Sequence, residues 1–270
     1  PLCNDRPESA EFQHALAQTL INMGLRLAAG GEHAEALTNF TRGREIQERL
    51  VAALPAHLGY REDLARVCLN RGGLQVQAGQ ARAAREDFTA ALTQAQELEK
   101  RHGRSALTEQ IQRLASYGRA RALEQLRQYR EALPDWDRAL ALAPAALRDV
   151  PLWGRAECLA RAGEYRRAID EARLLANNTR TAQQWYTLAR IAGMACSSAA
   201  EDGGRPLAER EEFVVLAALQ GVTWLESSER AGFFNASSAR QQLQSDAALD
   251  GLRARTEFWE FVAHIRDKKE

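Results

Sequence analysis

The feature that most limits what this chain can fold into is a pattern that returns every 48 residues. In the stretch 65–98, small residues stand at Gly72, Ala84 and Ala91, an aromatic at Phe88, and Gly79 separates two segments of helical apolar spacing. The same layout occurs one period earlier as Gly24, Gly31, Ala36 and Phe40, and one period later as Ala120, Ala132, Trp136 and Ala139. Small residues let two helices approach closely, and the ring fills the gap between them. A hairpin of this kind cannot bury its apolar face alone. Self-similarity at a fixed period therefore predicts stacked helical hairpins that share one continuous core.

Taken in order, residues 1–10 read as a polar, flexible lead. From Glu11 the residues Phe12, Leu16, Leu20, Met23 and Leu27 recur at three- and four-residue spacing and predict a buried helical stripe. Hairpins are expected near 11–58, 59–104, 105–146, 147–178 and 179–234, with 235–270 as a C-terminal capping segment. Asp149 is expected to cap the fourth hairpin, with Pro151 tolerated in its first turn. In the capping segment Phe258, Trp259, Val262 and Ile265 supply the apolar face of a last helix that starts at Thr256 and ends at Lys268 and Lys269.

The chemistry of other function classes is missing. Lys and Arg together number 36, as do Asp and Glu, so no net basic field points to nucleic acid. The cysteines (Cys3, Cys68, Cys158, Cys196) are dispersed and form no CxxC, which fits small buried apolar residues rather than a zinc knuckle or redox pair. The histidines His14, His33, His57, His102 and His264 never fall at HxxxH spacing, so no metal site and no cofactor is expected. His33 reads as a packing residue over the first turn. Asp135, Asp137, Glu211 and Glu212 read as solvated helix faces. No GxSxG, Walker loop, HRD or DFG is present, and no catalytic residue is assigned. No apolar run of ~18 residues crosses a membrane.

The residues Ala132, Trp136, Ala139 and Pro144, with Trp185, Leu188 and Ala189, resemble the signature of tetratricopeptide repeats (TPRs). The resemblance implies an all-α, TPR-like α-solenoid: a right-handed superhelix of helical hairpins with C-terminal capping helices. The usual repeat is about 34 residues. The excess of about 14 is close to four helical turns, so lengthening both helices by about two turns keeps every contact on its face. A narrower match joins the segments REDLARVCLNRGG and FTAAL to the ending SDAALDGLRARTEFWEFVAHI (Ser245–Ile265). Together they resemble the C-terminal TPR region of bacterial serine/threonine protein kinases. That implies a non-catalytic, partner-recruiting tail with a kinase domain before Pro1; the alternative is a free-standing adaptor or assembly factor. The cytoplasm is the expected compartment, or the extracytoplasmic side if a membrane span precedes the repeats.

In such arrays the first helix of each hairpin lines a concave groove that holds an extended peptide. Transferred residue by residue, Asn22 and Asn70 precede the small contact by two positions and would clasp a peptide backbone, since an amide both donates and accepts. Residues three before and one after that contact lie four apart and share a face. They are Ile21 with Leu25, Leu69 with Gly73, Tyr117 with Arg121, Trp153 with Glu157, and Tyr186 with Arg190. Arg66 lies one turn earlier. The expected partner is thus a protein or extended peptide in this groove, with self-association through an exposed end of the solenoid as a separate expectation.

Overall fold

Turn chemistry shows how the chain builds its hairpins. In the computed structural model, which describes residues 7–177 and 180–267, the first four hairpin turns share one hydrogen-bond pattern. At the first, the Glu32 N–H donates to the Leu27 carbonyl at 2.9 Å and the Gly31 N–H to Ala28 at 3.1 Å. This 6→1 and 5→2 pairing closes a helix through one residue in the left-handed region. The bond to Leu27 recurs as Gln80 to Gln75, Gln128 to Leu123 and Glu164 to Leu159. The left-handed residues are Gly31, Gly79, Arg127 and Gly163, with φ of 83°, 72°, 58° and 85°. Glycine carries no Cβ penalty there, whereas Arg127 does.

These turns join α1 (Pro7–Ala29) to α2 (His33–Ala53), α3 (Leu58–Gln77) to α4 (Ala81–His102), α5 (Ala106–Gln125) to α6 (Tyr129–Ala141), and α7 (Asp149–Arg161) to α8 (Tyr165–Ala176). A longer connection, in which Asp202 accepts from the Gly204 N–H at 2.9 Å, joins α9 (Ala182–Glu201) to α10 (Leu207–Arg230). Short helices follow: α11 (Ser237–Ser245), α12 (Asp250–Arg253) and α13 (Thr256–Asp267). The extra turns predicted from the repeat length are present in α1 to α5, but α6 has 13 residues because Pro144 lies just beyond its end. Capping boxes start α5 (Ser105 with Thr108) and α9 (Thr181 with Gln184).

The chain divides into two units, Pro1–Leu147 and Arg148–Glu270. In the first, Phe40 and Phe88 form the rings between helices. A Cβ on Gly24 would come within 2.7 Å of Phe40, and one on Gly118 within 2.2 Å of Phe88, so α5 reaches α4 only because residue 118 has no side chain. Arg71 of α3 forks onto Asp87 of α4 (2.7 and 2.9 Å) and also donates to Thr41 of α2 at 3.2 Å. Arg119 repeats both contacts one period later, onto Asp135 (2.8 and 2.7 Å) and Thr89 (3.4 Å). One side chain thus ties a first helix to its own second helix and to the preceding one.

In the second unit Arg155 pairs with Glu171 at the same 16-residue separation. There the segment 247–253, which includes α12, packs on α9, and α13 packs on α10. Gly251 meets the Gly193 carbonyl so closely that a Cβ would sit 2.2 Å from it, and Leu249 and Leu252 are fully buried.

Several expectations are corrected. Residues 7–10 of the expected flexible lead belong to α1, with Pro7 at a first-turn position where its missing N–H costs nothing. On α1, Phe12 (77%), Leu16 (49%) and Met23 (49%) are exposed, while Ala17, Leu20 and Ile21 face α2. His33 is exposed rather than a packing residue of the first turn. Asp135 is buried rather than solvated, because Arg119 neutralises it. Asp149 is the first residue of α7 rather than its cap; its carboxylate accepts from Arg180 at 3.0 Å. Cys3, Asn178, Thr179, Lys268 and Lys269 lie outside the described residues.

Candidate partner-binding surface

In the first unit α3 packs against both α1 and α5, so the three first helices lie side by side on the inner face. The turn-by-turn register decides what they expose. Asn22 on α1 is exposed, and Asn70 on α3 is half-buried. Arg66 projects into solvent, 3.6 Å from Asp63 on its own helix. Tyr117 is half-buried, its ring set edge-on against Trp136 at 5.4 Å. The Trp136 Nε1–H donates to Glu124 at 3.0 Å, and Glu124 lies 3.7 Å from the exposed Arg121. Tyr117 and Arg121 therefore stand on a braced cluster, which lowers the ordering cost of any contact they make.

Exposed apolar side chains stand at the same helix positions, Leu25 on α1 and Leu107 and Leu114 on α5. Leu25 is 41% exposed and Leu114 37% exposed, and beside them Gly73 leaves open space. Leu114 was not singled out in the sequence. The signal was available: Arg66 plus one period is Leu114, and minus one period is Gln18. The face is mixed, with aliphatic side chains on α1 and α5 and guanidinium groups at Arg66 of α3 and Arg121 of α5.

The second unit is different. Trp153 is half-buried, with the Arg180 guanidinium 5.6 Å from its ring and its Nε1–H buried without a partner among the described residues. Tyr186, expected on an open groove, is fully buried. Its ring stacks on Phe233 at 4.5 Å and its hydroxyl donates to Asp246 at 3.1 Å. Burial, then the Asp246 charge, pushes the phenol well above its ordinary value. Arg190 lies 2.9 Å from Asp246 and 3.8 Å from Glu157. The chain's own C-terminal segment thus covers Tyr186 and lies against Arg190, which stays 26% exposed. The expectation of an open groove position is corrected for Tyr186, because its ring is fully buried and its hydroxyl already donates to Asp246.

Buried thiols add no reactive chemistry. Cys68, Cys158 and Cys196 are buried, and loss of solvation pushes the Cys68 and Cys196 thiols up to about 12. A shallow concavity of about 270 Å³ between α8 and α10 carries Arg166, Asp170, Arg173, Glu209 and Glu212. No helix among the described residues is long and apolar enough to cross a membrane.

These helices define an all-α, TPR-like array of packed hairpins. No family model matches the chain, and no curated protein does. Among solved structures it is similar to the crystal structure of the P58(IPK) TPR domain at 2.5 Å, with 18% identity over 93% of this chain and 79% of that one. The TM-score is 0.28, too low for the arrangement of one to inform the other.

Proposed function

We propose that this chain is a protein-binding scaffold that holds an extended partner segment across the inner face of its first unit. The observation that carries the reading is the pairing of exposed Leu25 and Leu114 with solvent-facing Arg66 and Arg121 on helices that share one face. Asn22, Asn70 and Tyr117 complete the surface. Aromatic and Arg side chains are the usual anchors of interfaces, and the aliphatic pair supplies burial. A segment that alternates apolar and acidic residues fits this chemistry. In the second unit, Trp153 and Glu157 remain at the margin of the self-occupied face and are assigned a secondary part.

The test is selection of displayed extended peptides on the full chain. Enriched peptides should carry acidic and apolar residues. The double change Arg66→Ala and Arg121→Ala, or Leu114→Glu alone, should weaken them by about tenfold or more, since anchors of this type each contribute over about 1 kcal/mol. No enrichment, or equal binding by both variants, removes the assignment.

The finer reading is that the array is the partner-recruiting C-terminal region of a bacterial serine/threonine protein kinase. It rests on the resemblance of the long repeats and of Ser245–Ile265 to such tails. Tethering would raise the substrate concentration near the active site. The intact mass and N-terminal sequence of the native product decide this: HRD and DFG elements ahead of Pro1 support it, and a native product that starts near Pro1 overturns it in favour of the free-standing adaptor.

A further inference from the structure

The inner helices of the first unit bury a particular face against the second helix that precedes them. On α3 it is Tyr60, Leu64, Val67, Arg71 and Gln75, and on α5 it is Thr108, Gln112, Ala115, Arg119 and Leu123. One period before α3 the same positions on α1 are Phe12, Leu16, Thr19, Met23 and Leu27. There Phe12 is 77%, Leu16 49% and Met23 49% exposed, Thr19 is exposed, and Leu27 is half-buried. Nothing among the described residues covers this stripe.

Its chemistry differs from that of the inner helices. Where α3 and α5 place Arg71 and Arg119, each bound to a Thr of the preceding helix, α1 places Met23. The matching acid is also gone: Asn39 stands one period before Asp87. The Thr19 hydroxyl donates to the Ala15 carbonyl at 2.9 Å within α1, so it needs nothing from outside. The stripe is therefore more apolar than any equivalent face in the unit, yet it is the one left in water. It is not built to receive another helix of the α2 or α4 type through the Arg–Thr contact.

We propose that α1 pairs with α1 of a second copy, antiparallel and about a two-fold axis near Thr19 and Leu20. This register sets Phe12 of each copy opposite Leu27 of the other, and Leu16 opposite Met23. No polar group in the stripe loses a partner. The exposed Glu11 near one end of α1 approaches the exposed Arg26 near the other end of the second copy, which favours antiparallel over parallel pairing. The net charge of zero leaves no long-range repulsion between copies. In this register residues 10–29 of the two helices overlap along about 30 Å, which places the contact no higher than the lower end of the roughly 1,200–2,000 Å² of stable interfaces and predicts a dimer that dissociates on dilution.

Sedimentation velocity on the full chain across ~1–100 µM tests the pairing, because a contact at the lower end of that range should dissociate within this window. The expected result is a monomer that converts to the mass of two chains as concentration rises. Leu16→Glu with Met23→Glu should weaken the dimer by on the order of 100-fold while leaving the helical circular dichroism unchanged, as both side chains already face solvent. In a Cys3→Ser background, Thr19→Cys should form a disulfide between copies under mild oxidation, because residue 19 meets itself at the axis. A chain that stays monomeric throughout overturns the proposal and leaves the stripe to another occupant. A dimer that survives the double Glu change, or a Thr19→Cys variant that does not cross-link, overturns it as well.

Discussion

The clearest quantitative consequence of the fold concerns Arg71 and Asp87. The Asp87 carboxylate is fully buried and holds three short contacts, two from Arg71 and one from Arg44 at 2.7 Å. Burial pushes this carboxyl upward while the two guanidiniums pull it down, and burial is the larger influence. The pair therefore yields little net stability over an apolar replacement, but breaking it on one side is costly. Arg71→Met alone leaves Asp87 with Arg44 only, and Asp87→Asn alone leaves a mostly buried Arg71 without its counter-charge. Each is expected to cost about 3–5 kcal/mol. The first hairpin already carries the double replacement, Met23 with Asn39, at the same register. Arg71→Met with Asp87→Asn should thus cost clearly less than the sum, with a coupling of roughly 2–3 kcal/mol. Hydrogen exchange of α3 and α4 peptides in the full chain, followed through a urea series, reads the local stability of this hairpin without assuming that both units unfold together. If the two changes add within about 0.5 kcal/mol, the residues do not act as a pair and the repeating Arg–acid tie is not a structural device.

Other outcomes follow from single positions. Arg127→Gly should stabilise the chain by about 1 kcal/mol, because φ of 58° penalises a Cβ, and raise the Tm by about 2–4 °C in a thermal scan. Gly118→Ala should cost about 1–3 kcal/mol by overpacking Phe88, read by chemical unfolding, with no comparable effect for Gly73→Ala, where space is open. The Cys68 and Cys196 thiols should resist iodoacetamide at pH 8 in the native chain and react on unfolding, because both stay protonated until about pH 12. Asp246→Ala should speed hydrogen exchange in the segment 246–253 by removing the carboxylate that meets Tyr186 and Arg190.

The architecture was legible because a repeat writes each contact several times. Gly72 against Phe88 is one coincidence; Gly24 with Phe40 and Ala120 with Trp136 turn it into a rule. The hairpin turns were legible for the same reason, and Arg127 shows that the fold tolerates a residue its own pattern argues against. The Arg–acid tie was written in the same way, at Arg71 and Asp87, Arg119 and Asp135, and Arg155 and Glu171, each 16 residues apart. A reading of each helix face by itself makes such charges solvated and hides the tie. Sixteen residues spans a turn between helices, so the partner lies outside the window in which helix faces are read. The exposure of Phe12, Leu16 and Met23 was illegible for a different reason: periodicity marks a face as apolar but does not say whether anything stands against it.

The second unit shows where repeat logic stops. Register alone places Tyr186 and Arg190 as the equivalents of Tyr117 and Arg121. What differs is outside the repeat. The segment that follows α10 carries Gly251, which lets its backbone reach Gly193, and Asp246, whose carboxylate meets Tyr186 and Arg190. An acidic side chain delivered by an irregular segment onto an aromatic and a guanidinium is the kind of contact proposed for a partner on the first unit. The chain's own C-terminal segment thus supplies an internal example of the chemistry expected on α5. Fully buried Leu249 and Leu252 fix it in place through apolar packing that a transient partner would have to match. A free peptide bound on α5 would have to find its own apolar anchorage, and Leu25 and Leu114 are the exposed side chains available to provide it.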